Sequence, residues 1–172
     1  MIVVLIGMDG TGKTELFQRL QKAYPKAVYI KESYPGANLV ARYVRRDVFE
    51  TFVRFNRDVT VIYDRATIID DLVYEPIISK KPSYFDRDYE RLSQLLKQCY
   101  VVYLTADLDL LKRRIEKRGD HFIGSDQLEA IQQSYQEVFE KLNISPYTID
   151  TTTLTLDQVY DEAMAILRGE TK

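Results

Sequence analysis

The eight residues Gly7-Met8-Asp9-Gly10-Thr11-Gly12-Lys13-Thr14 fit the spacing G-x-x-x-x-G-K-[ST], and each residue type has a chemical reason to be there. Glycines let successive backbone N–H groups turn inward around phosphate oxygens, with no side chain to block the approach. A helix beginning near Gly12 adds its partial positive charge at the same point. Lys13 is then placed to reach the β- and γ-phosphates of a nucleoside triphosphate, with the Gly10, Thr11 and Gly12 amides beside it. Thr14 is placed to offer its hydroxyl to a Mg²⁺ ion bridging those phosphates. A Gly-rich turn with an incidental lysine would carry the same letters. The context argues against it, because the segment follows a short apolar run at residues 3–6 and precedes an amphipathic stretch.

A second constellation is Asp64-Arg65, which ends the run Val59-Thr60-Val61-Ile62-Tyr63. A carboxylate at the C-terminal end of a central strand lies where open parallel sheets bind ligands. Asp64 suits Mg²⁺, directly or through water, and the planar fork of Arg65 suits a phosphate. Taken alone, such a pair is as readily a surface ion pair. Moving a phosphoryl group also calls for further cations around a highly anionic transition state. Lys112, Arg113, Arg114, Lys117 and Arg118 crowd one short stretch, with Glu116 as the offset. Helical spacing turns Arg114 and Arg118 to one side and Leu111 and Ile115 toward the core. A helix macrodipole explains one or two cations near a C-terminus, not all of these.

Arg42, Arg45 and Arg46, with Phe49 and Phe52 one and two turns on, are candidates for a base pocket, Arg45 and Phe49 foremost. The competing assignment puts phenylalanine in the core and arginine on the surface. Glu32, at the end of another expected strand, is placed to take a proton from a hydroxyl acceptor. His121, the single histidine, has no Ser or Cys partner at a useful spacing and is expected in a loop.

The elements that must position these residues follow from periodicity. Short, mostly apolar runs at 3–6, 27–31, 59–63, 100–104 and 147–150 alternate with helical patterns, the signature of parallel strands joined by crossover helices. Runs of this kind are expected to be covered on both faces. Leu16, Phe17, Leu20 and Tyr24 mark one helical stripe, and Leu128, Ile131, Tyr135, Val138, Phe139 and Leu142 a longer one. Ser83 with Asp86 and Thr155 with Gln158 have capping-box spacing, and Gly119 and Gly169 are plausible stops. The expectation is an α/β, three-layer P-loop NTPase fold, a five-stranded parallel sheet with helices on both faces, as one domain over residues 1–172.

Composition sets limits. The chain has 172 residues, 45% of them apolar, enough for one full core. A net charge of −2 excludes a uniformly basic surface for nucleic acid or anionic membrane, so nucleic acid is not the expected partner. One cysteine, Cys99, builds neither an internal disulfide nor a Cys-rich zinc site. No run approaches the ~20 apolar residues of a membrane span, and the opening residues lack the features of a secretory signal. A cytoplasmic protein is expected, and a homodimer through exposed helix surface stays open.

These residues resemble the thymidylate kinase family over nearly the whole chain. Asp9 matches an acidic residue that the family carries inside its phosphate loop, which implies contact with the nucleotide 3′-hydroxyl. Lys31-Glu32-Ser33-Tyr34-Pro35-Gly36 is similar to the family's Arg-Glu-Pro-Gly segment with two residues inserted. Asp64-Arg65 matches its Asp-Arg pair, whose arginine grips the acceptor phosphate, although Ala66-Thr67 follows where an aromatic residue is usual. Residues 111–120 look like the helix entering the family's mobile lid, which implies a short lid over about 113–126 with Arg114 and Arg118 on the transferring group. The turn Thr151-Thr152-Thr153 is similar to the one flanking adenine, which brings Thr151 toward ATP.

The activity implied is ATP- and Mg²⁺-dependent phosphorylation of a deoxynucleoside monophosphate such as dTMP. Phosphorylation of a deoxynucleoside, or of a modified-base hydroxyl in DNA with Glu32 as base, is the alternative. From another class comes a non-catalytic nucleotide-binding regulator. The Asn-Lys-x-Asp stretch by which GTPases read guanine is not found after Leu104.

Overall fold

The computed structural model describes residues 1–32, 38–56, 58–83, 85–119 and 127–170. Its elements run β1 (Ile2–Gly7), α1 (Lys13–Ala23), β2 (Val28–Lys31), α2 (Leu39–Phe55), β3 (Val61–Asp64), α3 (Thr67–Ile78), α4 (Tyr89–Leu96), β4 (Tyr100–Thr105), α5 (Leu108–Arg118), α6 (Leu128–Leu142), β5 (Tyr147–Asp150) and α7 (Leu156–Leu167). The strands form one parallel sheet in the order β2-β3-β1-β4-β5.

Alternation along β1 makes the three layers. Ile2, Val4 and Ile6 enter a core closed by α2 to α6, while Val3 and Leu5 enter a second core under α1 and α7. Because every strand is parallel, their C-terminal ends share one edge. The register sets Leu5 beside Asp64 and Gly7 beside Leu104. The end of β1 is therefore flanked by the ends of β3 and β4.

Three sequence expectations change. The third strand starts at Val61 rather than 59, because the Asn56 side chain takes both backbone groups of Val59. Its amide donates to the Val59 carbonyl at 2.6 Å, and its oxygen accepts from the Val59 N–H at 3.1 Å. The outer strands β2 and β5 are partly exposed rather than covered on both faces. Ser83 with Asp86 does not start a helix: α4 begins at Tyr89, and the Ser83 hydroxyl instead donates to Asp71 at 2.6 Å. Thr155 and Gln158 do form a reciprocal capping box on α7, and Gly119 and Gly169 adopt the left-handed conformation at helix ends. Of the lid expected over 113–126, the first residues form the end of α5, and residues 120–126, with His121, lie outside the described residues. So do residues 33–36 of the segment that begins at Lys31.

Candidate functional site

The loop between β1 and α1 is built inward onto one atom. The Met8 side chain is fully buried in the core, and its carbonyl oxygen accepts from the Thr11 N–H at 3.4 Å, the Thr11 hydroxyl at 2.8 Å and the Lys13 ammonium at 2.6 Å. Three donors converging on one oxygen describe a site that a more anionic oxygen would fill. Gly7 is required by space and by conformation. Its φ is +140°, and a Cβ there would lie 2.1 Å from the Leu104 carbonyl oxygen. Gly12 caps α1 with φ +90°, so no side chain occupies the first-turn N–H groups, and Thr14 sits half-buried in that turn. Lys13 is 5% exposed, and burial, with Arg65 nearby, lowers its pKa from 10.5 to about 8.

Arg65 brings the second constellation to the same place. It pairs with Asp9 of the loop and lies 3.5 Å from Asp70 of α3. Its φ of +72°, rare for a residue with a side chain, is held by its N–H donating to Leu5 O at 3.0 Å and by these carboxylates. Burial opposes the guanidinium charge, but Asp70 and Asp9 raise its pKa above the usual value. Asp70 is itself pushed up by burial, with Arg65 and Lys13 opposing, and accepts from the Tyr135 hydroxyl at 3.4 Å. Asp64 is 2% exposed. One of its oxygens lies 3.8 Å from the Lys31 ammonium, and the other is buried without a hydrogen-bond partner among the described residues.

Beside this cluster, Glu32 is buried and its carboxylate accepts from the Thr67 N–H at 2.6 Å, capping α3 from the end of β2. Arg45 reaches the Thr67 hydroxyl at 3.3 Å. Phe49, expected as a stacking face for the base, is instead a core residue, 2% exposed and edge-on to Tyr63 at 5.2 Å. Arg42 also leaves the expected base pocket: it is fully buried, paired with Asp71 and with Glu75 at 2.7 Å. Across the loop, Arg114 donates to Gly10 O at 3.0 Å and to Thr151 O at 3.2 Å, which joins α5 to the loop and to the turn after β5. Arg118 belongs to the last turn of α5. A cavity of about 710 Å³ opens beside α5, lined by Thr105, Asp107, Lys112, Gln132, Asp150 and Thr152.

The structure thus gathers Asp9, Lys13, Arg65 and Asp70 through direct contacts or shared charge, with Asp64 at the adjacent strand end. Asp70 and Tyr135 are the members that sequence reasoning missed. An acid in the first turn of the helix following Asp64-Arg65 was the available signal for Asp70. Tyr135 had none, because it sat in an apolar stripe.

No family model matches the chain. The SPbeta prophage-derived protein YorR of Bacillus subtilis is 25% identical over 92% of this chain and 93% of its own. The thymidylate kinase of Helicobacter hepaticus is 25% identical over 88% and 91%. Among solved structures, YorR from Bacillus subtilis in complex with phosphorylated GDP superposes with a TM-score of 0.78 at 24% identity, covering 99% of this chain and 97% of that one. Deoxyadenosine kinase from M. mycoides with bound dCTP gives 0.64 at 19% identity, covering 98% and 100%. The chain is thymidylate kinase-like in sequence and has the P-loop kinase fold.

Proposed function

We propose that this chain is a nucleotide kinase that moves the γ-phosphoryl group of ATP onto a deoxynucleoside monophosphate of the dTMP type. The observation that carries this reading is the convergence of the Thr11 N–H, the Thr11 hydroxyl and Lys13 on one oxygen, in a loop whose Asp9 pairs with Arg65 at the end of the neighbouring strand. In the working enzyme the phosphate tail of ATP takes the place of the Met8 carbonyl. Lys13 and the amides of Gly10, Thr11 and Gly12 hold the β- and γ-phosphates. Arg65 leaves Asp9 for the acceptor phosphate, and Asp9 turns to the sugar hydroxyl. Arg114 and Arg118 are assigned to the donor side with Thr151, and Glu32 and Arg45 to the acceptor side. An acceptor phosphate attacks without a strong base, so positioning and charge carry the reaction.

Mg²⁺ fits the residues present, because the unpartnered buried oxygen of Asp64 is a hard anionic donor and the Thr14 hydroxyl lies in the helix turn that follows the loop. When bound, the ion neutralises charge on the transferring phosphates.

A second reading, a deoxynucleoside kinase, is favoured by the burial of Glu32 at the end of β2, where a carboxylate would accept a hydroxyl proton. The test is ATP and Mg²⁺ with a panel of deoxynucleosides and their monophosphates, products separated by chromatography. Conversion of dTMP to dTDP is expected. Conversion of thymidine to dTMP, abolished in Glu32→Gln, would replace the first reading by the second, and ATP binding with no transfer would leave a regulator.

The quaternary proposal is a homodimer through α2. Val40, Val44, Val48 and Phe55 form one exposed row along that helix, with Val40 73% and Phe55 74% exposed and Tyr43 beside them. Val40 and Phe55 are equidistant from the Asp47–Val48 peptide, so an antiparallel copy lays each end of the row on the other. With its neighbours the row offers on the order of 500 Å² per copy, much of the ~800 Å² a standard interface takes from each partner.

A further inference from the structure

Arg114 is expected from spacing to touch phosphate, yet its guanidinium is already engaged. Nη1 donates to Gly10 O at 3.0 Å and to the Thr151 hydroxyl at 3.4 Å, and Nη2 donates to Thr151 O at 3.2 Å. Thr151 is no loose partner. It is 4% exposed, its N–H donates to Thr105 O at 2.8 Å, and its hydroxyl donates to the same oxygen at 3.0 Å. Arg114 therefore ties the loop to the ends of β4 and β5.

The tie falls on one particular peptide. In a trans peptide the C=O and the following N–H point in opposite directions. Fixing the Gly10 carbonyl toward α5 turns the Thr11 N–H the other way, to where it meets Met8 O at 3.4 Å inside the cradle. Gly10 has φ +84°, and a Cβ there would lie 3.3 Å from Leu111, 3.5 Å from the Cβ of Arg114 and 3.6 Å from Ile115, so α5 packs directly against this peptide. A glycine at such an angle has several conformations open to it, and an external bond is what selects one.

We propose that Arg114 is a positioning residue for the phosphate loop: by holding the Gly10 carbonyl toward α5, it keeps the Thr11 N–H aimed at the phosphate position before any nucleotide arrives. This rests on reading residues 7–14 as a phosphate cradle. It makes α5 part of the donor site's preorganisation and assigns the guanidinium to backbone oxygens rather than to the nucleotide.

The test uses the full ¹⁵N-labelled chain as wild type, Arg114→Ala, Arg114→Lys and, as a control on the exposed side of the same helix, Arg113→Ala. Nucleotide-free protein is read first, by the amide shift and hydrogen exchange of Thr11 and Gly12. Affinities for ATP and for inorganic tripolyphosphate follow by calorimetry. In Arg114→Ala the Thr11 amide moves and exchanges faster without ligand, and both affinities fall by a similar factor of about ten. Arg114→Lys recovers part of the loss, and Arg113→Ala changes neither. An unaltered Thr11 amide in ligand-free Arg114→Ala would overturn the proposal, and so would a loss for ATP with none for tripolyphosphate, which would mean contact with the base. If wild type fails to bind tripolyphosphate, the cradle reading falls, while the ligand-free amide comparison still decides whether Arg114 orders the loop. Should Arg114→Ala not fold, Arg114→Gln carries the same comparison.

Discussion

Lys13 and Arg42 are both buried cations, and they contribute in opposite ways. Lys13 has a pKa lowered to about 8, so near neutral pH its charge is held against burial, at a cost on the order of 3 kcal/mol. That cost is present in full below about pH 8 and lifts as the pH climbs toward 10.5, where the unfolded chain also loses the proton. Lys13→Met is therefore expected to lower phosphoryl transfer by ~10²–10³ while leaving the melting temperature unchanged or raised. A clear drop in melting temperature beside intact turnover would contradict the role given to this ammonium. Arg42 is the reverse case, since its charge is met by Asp71 and Glu75. Arg42→Ala strands two buried carboxylates and is expected to destabilise by about 3–5 kcal/mol in urea unfolding. The loop and Asp64-Arg65 were legible in the sequence as adjacent strand-end segments because backbone geometry there dictates residue type. Arg42 was illegible because one turn of α2 carries arginines of opposite fate, and only the acids of α3, distant in sequence, decide which is buried.

Helices α2 and α4 are joined by charge where their apolar faces leave off. Glu50 of α2 accepts from Arg54 at 2.7 Å and pairs with Arg91 of α4, and it is 8% exposed. Burial alone would push its carboxyl up, but hydrogen bonds from Arg91 and Arg54 outweigh it and hold the pKa below the ordinary 4.5. A folded-state pKa below the unfolded one gives stability that is present above pH 4.5 and lost as pH falls through the lowered value. Glu50→Gln is accordingly expected to be less stable than wild type at pH 7, with the gap narrowing toward pH 3, as urea midpoints at the two values will record. A gap independent of pH would remove the ion pair from the account. Element existence was legible from periodicity. Element ends were decided by side-chain bonds to backbone, as where Asn56 takes Val59 out of β3, and where Ser83 turns to Asp71 instead of starting α4. Those bonds join residues whose identities suggest capping but whose partners depend on the fold.

At the scale of the molecule, a parallel sheet with β1 at its centre puts the ends of β3 and β4 beside the loop, so the edge that carries the candidate site follows from strand order. Alternating strands and helices made that layering legible in sequence. The exposed row on α2 was not, because apolar residues at helical spacing look the same whether they meet a core or a partner: Phe49 and Val53 face inward while Val40, Val44, Val48 and Phe55 face out. Such a row is costly to leave in water, and in the proposed dimer a second copy would remove it from solvent. Sedimentation is expected to show a dimer at micromolar concentration and a monomer for the double substitution Val44→Glu, Val48→Glu. In the proposed antiparallel dimer, centred on the Asp47–Val48 midpoint, Val48→Cys is expected to cross-link between copies under oxidation, whereas Val40→Cys is not. A wild-type monomer at 100-fold higher concentration, roughly the range where weak interfaces fill, would end the dimer proposal. So would a dimer indifferent to the two glutamates, since the interface would then lie elsewhere. The monomeric variant should still transfer phosphate, because Asp9, Lys13, Asp64 and Arg65 come from one chain and lie at the strand ends, not on the face α2 presents outward.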